Sequence, residues 1–446
     1  MGIRSNRGVA LILVLTTIAI LTSIGVDFSY STRVSLRLAE TARDEMRAYY
    51  LARSAVNLSR LLLHFQKQVD GLGGQLTAGI QGLLAPKGQP PPALPPAAKT
   101  GSPSPGGLSS GAGAGAASLG IRLWEILPID SNAMGAVLTG ATSIPGAESP
   151  PAPERASAAP PPPGGAPVVE HSFGTFDGSF HAKIVDENSR INVVGLDNVG
   201  LAPLATLTQL RAMMADPKYD FIFDDEDANH DRVRRDDVIL AIKDWIDVDE
   251  TASGLDPTNT VNPFVNAFSD ENSAYDRYTP RYKAKNARFD SLDELFMVRG
   301  VNDRFMAAFG DRLTIWPDMN SLLNINTNDP LQMVTNILAA AKNPNDPSLR
   351  DPRLLQTILQ EIQLRKMFSF FGMSAQDFVS VLQANGIQLN PIIDPKLKGD
   401  PAKLFGSTSD TFRITATGRV GRVEKSVTAV IRYDDLLGKL LYWKEE

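Results

Sequence analysis

The sequence has no cysteine in its 446 residues, which removes disulfides, thiolate metal sites and thiol catalysis together. Histidine is nearly as scarce. His64, His171, His181 and His230 are the whole supply, and no pair has the spacing of a zinc-binding HExxH helix. No catalytic constellation and no phosphate-cradling glycine loop stand out, so the reading is of a protein that is not an enzyme. Cationic excess is missing too: 44 Lys and Arg stand against 50 Asp and Glu, for a net charge of −6. No segment is basic enough to suggest a nucleic-acid-binding domain. One further absence is local: no acid stands between Val9 and Val26.

That acid-free stretch follows Arg4, Arg7 and Gly8. It is about 18 residues long, or about 27 Å of helix, just enough to span a bilayer. A secretory signal would end in a small-residue cleavage site, and none follows. The chain continues without Pro or Gly from Asp27 to Phe65, with Val34, Leu38, Ala42, Tyr49, Ala52, Val56 and Leu63 at helical spacing. One continuous helix is expected, crossing the membrane over residues 9–26 and running on to about residue 66. The arginines place its short end in the cytoplasm. An ordinary single-pass anchor is one reading of this segment.

From 67 to 170 the composition shifts to Pro, Gly and Ala, which removes backbone donors and raises the entropy of ordering. A flexible segment is expected, with a short strand near 121–129 that could dock onto a sheet. Beyond it, residues 171–200 read as strands, with Phe173, Phe180, Ala182 and Ile184 alternating with polar neighbours. Residues 201–405 read as a series of helices. Residues 406–446 return to strand pattern, with Gly421-Arg422 as hairpin material. The economical arrangement is α+β: a small antiparallel sheet closed by the two ends of the chain, with a helical domain inserted.

Two acidic stretches could hold a cation. Asp244, Asp247 and Asp249 surround a helix end, and Glu271 arrives from the following loop. Calcium takes six to eight hard oxygens and tolerates irregular geometry; a solvated acidic loop is the competing reading. Upstream, Asp225, Asp227, Asn229, Asp231 and Asp236 follow the spacing of an EF-hand loop. His230 stands where that loop needs Gly, and Arg232, Arg234 and Arg235 offset the acids. A capped, exposed loop competes with the calcium reading here, and Asp236 is a fair helix N-cap. Residues 291–305 form two short helices around Arg299-Gly300, similar in outline to a helix-hairpin-helix. Asp290, Asp293 and Glu294 beside the turn oppose a phosphate backbone. A packing unit needs no such ligand.

A basic leader ending in Gly8, followed by an apolar helix that becomes amphipathic, resembles the type IV prepilin and pseudopilin signal. The resemblance implies a leader of residues 1–8, cut by a prepilin peptidase between Gly8 and Val9, with methylation of the new terminus. Most members carry Glu at the fifth mature position, where this chain has Leu13. The subtype that typically lacks it is the minor pseudopilin K of type II secretion systems. "YYLARSAVNLSRLL", "DENSRINV", "DWIDVD", "ENSAY", "PRYKAKN", "SLDEL" with "RGV", and "NINT" follow in that family's order, and the chain ends in "YWKEE". The resemblance covers residues 1–70 and 168–446.

The resemblance implies a pseudopilin fold, calcium in the loop of Asp244, Asp247, Asp249 and Glu271, and a place at the tip of a short filament. The implied partners are the minor pseudopilins I and J, other pseudopilins, the inner-membrane assembly platform and the prepilin peptidase. The implied location is the bacterial inner membrane, single pass, with the large domain in the periplasm. The helix face carrying Leu38, Tyr49 and Val56 is the expected partner surface. Two other functions fit parts of the pattern: a calcium-binding surface or adhesion protein on a prepilin-type anchor, and a DNA-uptake minor pilin.

Overall fold

The computed structural model describes residues 7–84, 122–131 and 178–446, except 225, 227–231, 257–258, 260–261, 318–321, 345, 369–371 and 434–437; within the first helix it describes side chains over 11–68. That helix, α1, runs Arg7–Leu84, past the boundary expected near residue 66. The glycines beyond Asp70 lower helix propensity without breaking the ladder, and the first proline after them is Pro86. Its apolar start has a mean hydropathy of 2.2, with none of the window buried against protein. The helix is therefore long and apolar enough to cross a membrane.

The strand expected near 121–129 is mostly something else. Leu123–Ile126 forms a helical turn, and only β1 (Ile129–Asp130) is extended. The turn places Trp124 edge-on against Phe412, with ring centroids 4.9 Å apart. The Leu123 N–H donates to Gln66 Oε1 across 2.8 Å, tying this strap to α1. β2 (Ser179–Asp186) follows; Phe173, read as a strand residue, lies outside the described residues.

The insert then runs through α2 (Ala202–Met214), α3 (Arg235–Ile246), the hairpin β3 (Thr251–Leu255) and β4 (Phe264–Asp270), and α4 (Asp303–Phe309). It ends with α5 (Pro330–Ala340), α6 (Pro352–Phe368) and α7 (Ala375–Ala384). Short polar side chains start several of these: Asn302, Asp329 and Ser374 each accept a first-turn N–H. The insert has two hydrophobic cores. One gathers Trp245, Phe305 and Phe309, and the other Ile337, Phe378 and Phe405.

β5 (Thr411–Val420), β6 (Val423–Arg432) and β7 (Lys439–Glu445) complete a five-stranded antiparallel sheet of order β1-β2-β5-β6-β7. β2 and β5 pair directly, Asp186 opposite Phe412 and Ser179 opposite Arg419, so the helical insert leaves and rejoins the sheet at one end. The architecture is α+β: a long helix on a small antiparallel sheet, with the helical block inserted between two paired strands.

α1 lies across the sheet on Ala48, Leu51, Ala52, Ala55, Val56 and Leu63. Alanines at this spacing let the helix axis approach the strands closely, and Gly418 on β5 offers no side chain to hold it off. Tyr433 Oη donates to the Arg60 carbonyl across 3.1 Å and Tyr49 Oη to Glu445 Oε1 across 2.9 Å. The face carrying Tyr49 and Val56 thus belongs to the chain's own sheet. Of the expected partner face only Leu38, at 66% exposure, stays open.

Candidate functional site

The acidic site is assembled where α3 ends and the β3–β4 hairpin returns. Asp244 sits in the last turn of α3, and Asp247 is its C-cap, with its own N–H donating to the Lys243 carbonyl. The hairpin brings the chain back beside this end, where Asp270 caps a 3₁₀ turn by accepting from the Asn272 N–H. Glu271 is the first residue of that turn. Carboxylate oxygens of Asp244, Asp247 and Glu271 lie within 4.8 Å of one another, and the residues are 8%, 5% and 4% exposed.

Burying three acids together is costly unless something compensates. Part of the compensation is visible. Asp244 Oδ1 accepts from the Ser253 N–H at 2.8 Å, and Lys243 Nζ bridges Asp247 Oδ2 at 2.6 Å and Asp197 Oδ1 at 2.9 Å. The rest is missing: Asp247 Oδ1 and both oxygens of Glu271 are buried without a hydrogen-bond partner. Burial, reinforced by the charges of Asp244, Asp247 and Asp249, pushes the Glu271 carboxyl up to about 7. The nearby Asn286 amide offsets this only in part. Burial likewise takes Asp244 to about 6 and raises Asp247 in spite of Lys243. One ammonium against three carboxylates leaves an uncompensated negative pocket whose open valences are all oxygen. That donor set fits a hard divalent cation such as calcium or magnesium, and has neither the nitrogen nor the sulfur that zinc prefers.

A further side chain beside this pocket was not foreseen: Asn286, next to Glu271. Asn286 holds a left-handed backbone, with φ of 51°. Its Nδ2 donates to the Asp249 carbonyl at 2.8 Å, while its Oδ1 is buried and unpartnered. The next N–H, of Ala287, donates to the Trp245 carbonyl and pins this loop to the end of α3. The sequence signal was faint: an Asn closing "PRYKAKN", with nothing in the string itself to connect it to α3.

The structure separates the other candidates. Asp249, expected beside Asp247, turns outward. It is exposed, and its Oδ1 accepts from the Thr251 N–H at 2.8 Å. Asp236 is not the N-cap of α3, which is Arg234; it makes a two-pronged ion pair with Arg211, both contacts at 2.8 Å. Asp225, Asp227, Asn229 and Asp231 lie outside the described residues, as does the side chain of Val9, the neighbour of Gly8. The Arg299-Gly300 turn is packed inward. Gly300 has φ of +82°, and a Cβ there would meet Val233 Cγ1 at 2.7 Å and Val238 Cγ2 at 2.8 Å. This turn is a packing element of the first core.

Two of the stretches that carry the resemblance, "DENSRINV" and "NINT", meet at the junction of sheet and insert. Asp186 Oδ2 accepts from Ser409 Oγ at 2.5 Å and from Asn324 Nδ2 at 3.0 Å. Glu187, fully buried, pairs with Arg413 at 2.9 Å and accepts from Thr314 Oγ1. Asn188 Oδ1 takes the N–H groups of Asp410 and Thr411. These residues fix the orientation of the insert on the sheet.

A segment of 93 residues is 34% identical to the type II secretion system protein K of Aeromonas hydrophila. The chain resembles protein K of type II secretion systems. The match covers 21% of this chain and spans only 28% of the length of protein K. Among solved structures, a chain of the GspK-GspI-GspJ complex from the enterotoxigenic Escherichia coli type 2 secretion system aligns over 61% of this chain and 82% of its own. That alignment has 16% identity and a TM-score of 0.43. No protein-family model matches the chain.

Proposed function

We propose that the chain is a minor pseudopilin of a type II secretion system, most like protein K. In this reading it stands at the tip of a short periplasmic filament, binds the minor pseudopilins I and J, helps start assembly and limits length. The observation that carries it is the 34% identity with protein K over 93 residues. The order of the shared motifs and Leu13 at the fifth mature position support it from the sequence.

The physical argument for a tip is that Leu13 cannot offer the carboxylate that pairs, in most such subunits, with a neighbour's terminal amine in the apolar core of a filament. An unpaired charge there is expensive. A subunit without the Glu gains nothing in the shaft and loses nothing at an end. The bulk of the insert, 202–403, opposes stacking of copies one above another.

In the same reading, residues 9–26 cross the inner membrane after prepilin peptidase cuts between Gly8 and Val9, and the rest of the chain lies in the periplasm. Calcium occupies the pocket of Asp244, Asp247, Glu271 and Asn286, where it supplies the positive charge that Lys243 alone does not.

Immunogold labelling of overexpressed filaments tests the tip. Label confined to ends is expected, in one or a few copies; label spaced along the shaft overturns it. Mass spectrometry of the mature terminus tests the anchor, with N-methylated Val9 expected and a terminus beyond Asp27 excluding it.

A further inference from the structure

A cavity of 720 Å³ opens at the seam between the two lobes of the insert, between α2 and α5. Its floor is apolar, built from Leu207 on one side and Leu331, Val334 and Leu338 on the other. Its rim is cationic. Arg211 and Lys218 also face it, but each is already held by an acid, Asp236 and Asp216 respectively. Arg312, Lys342 and Arg350 are different: among the described residues none of them makes an ion pair or a side-chain hydrogen bond. The other acid of the lining is Asp256. In a chain of net charge −6, convergence of these unpaired cations on one apolar groove is a departure from the general surface.

We infer that this groove is a docking site for an acidic amphipathic segment of another protein. A groove between two helices accepts the apolar face of a third segment through spaced anchors. Apolar contacts supply the affinity, while complementary charge selects the partner and speeds encounter. The cations argue for a segment rather than a single anionic head group. Arg312 comes from the first lobe and Lys342 and Arg350 from the second, so they face the groove from both sides. Acids distributed along a peptide meet such a rim; one carboxylate or phosphate cannot. The cavity is separate from the pocket of Asp244, Asp247 and Glu271, so this inference does not rest on metal binding.

The test uses the full chain in nanodiscs and fluorescence anisotropy with labelled helical peptides in which Leu recurs at helical spacing and Glu fills the other positions. A Lys-for-Glu peptide, a Ser-for-Leu peptide and decanoate serve as comparison ligands. The Glu–Leu peptide is expected to bind, to weaken as salt rises from about 0.1 M to about 1 M, and to weaken about tenfold or more in an Arg312→Glu, Lys342→Glu, Arg350→Glu variant. If that variant does not keep the wild-type melting curve, Lys342→Glu with Arg350→Glu, both exposed, replaces it. No binding of the Glu–Leu peptide, equal binding of the Lys–Leu peptide or of the variant, or binding of decanoate without the peptide would each overturn the proposal.

Discussion

Gly418 of β5 lies directly beneath Ala48 and Ala52 of α1, with no room for a side chain between them: a Cβ at this position would fall 2.6 Å from the Ala52 nitrogen and also against the Ala48 carbonyl. Both obstacles are backbone, so no rotamer change relieves them. Gly418→Val is expected to lift the helix from the sheet and destabilise the globular part by about 3 kcal/mol. Gly421→Asn at the β5–β6 turn is the control. Gly421 has φ of +57° with open space around it, and Asn tolerates that conformation. Thermal melts of both variants decide the matter; equal melting temperatures would remove the close-packing argument.

The metal pocket makes a prediction with two signs. In metal-free protein, Glu271→Gln relieves a buried like-charge cluster and is expected to raise the melting temperature. The same change removes a ligand and is expected to abolish the rise that calcium produces by binding only the folded state. Asn286→Gly keeps the left-handed backbone and loses the amide oxygen, so it should weaken the calcium response without removing it. Asp249→Asn should leave the response near wild type, because Asp249 faces solvent. A wild-type melting curve indifferent to chelator and to calcium would eliminate the site.

The pH dependence has a definite direction. Glu271 and Asp244 have folded-state values of about 7 and about 6, above their ordinary 4.5 and 3.8. Between these values the folded chain binds more protons than the unfolded chain, so these groups add stability as pH falls and withdraw it as pH rises through the folded values. With chelator present, the stability difference between wild type and Glu271→Gln should therefore shrink between pH 7.5 and 5. With calcium bound the carboxylates are held ionised, and acidification should instead weaken binding over the same interval. A difference in chelator that grows on acidification contradicts the assignment.

The sequence was most legible where one period dominates. The apolar start of α1, the strand alternation of β5 and β6 and the acidic end of α3 all read directly, because each signal is local. What failed was non-local. Leu123–Ile126 looks extended in isolation, yet coils so that Trp124 can reach Phe412. Asp249 looks like a neighbour of Asp247, but the turn into β3 points it away. Asn286 joins the pocket only through a loop anchored to Trp245, a contact that no spacing rule records. The strings that carry the family resemblance held positional information without its meaning: "DENSRINV" and "NINT" are a buried junction, which emerges only when Asp186 is placed beside Asn324 and Ser409.

The partner surface of α1 follows from the face that its own sheet leaves uncovered. Val56 is 1% exposed and Tyr49 is engaged with Glu445, so neither is available to another subunit. On the outward side Met46, Tyr50, Leu61 and Phe65 are each about half exposed, at 57%, 53%, 51% and 49%. They recur at steps that keep them on one slowly winding face of the helix. Such a stripe on an otherwise polar surface is what a neighbouring helix buries through ridges and grooves. If the chain sits on the minor pseudopilins I and J, this stripe is the contact. Tyr50→Asp with Leu61→Asp should then abolish co-purification with them while shifting stability by no more than about 0.5 kcal/mol, the usual scale for exposed positions. Val56→Asp should do the reverse, unfolding the helix from the sheet because an unpaired carboxylate would be buried there. Co-purification and melting curves measured on the same two preparations separate the cases: a Tyr50, Leu61 variant that still binds I and J would move the interface off α1 altogether.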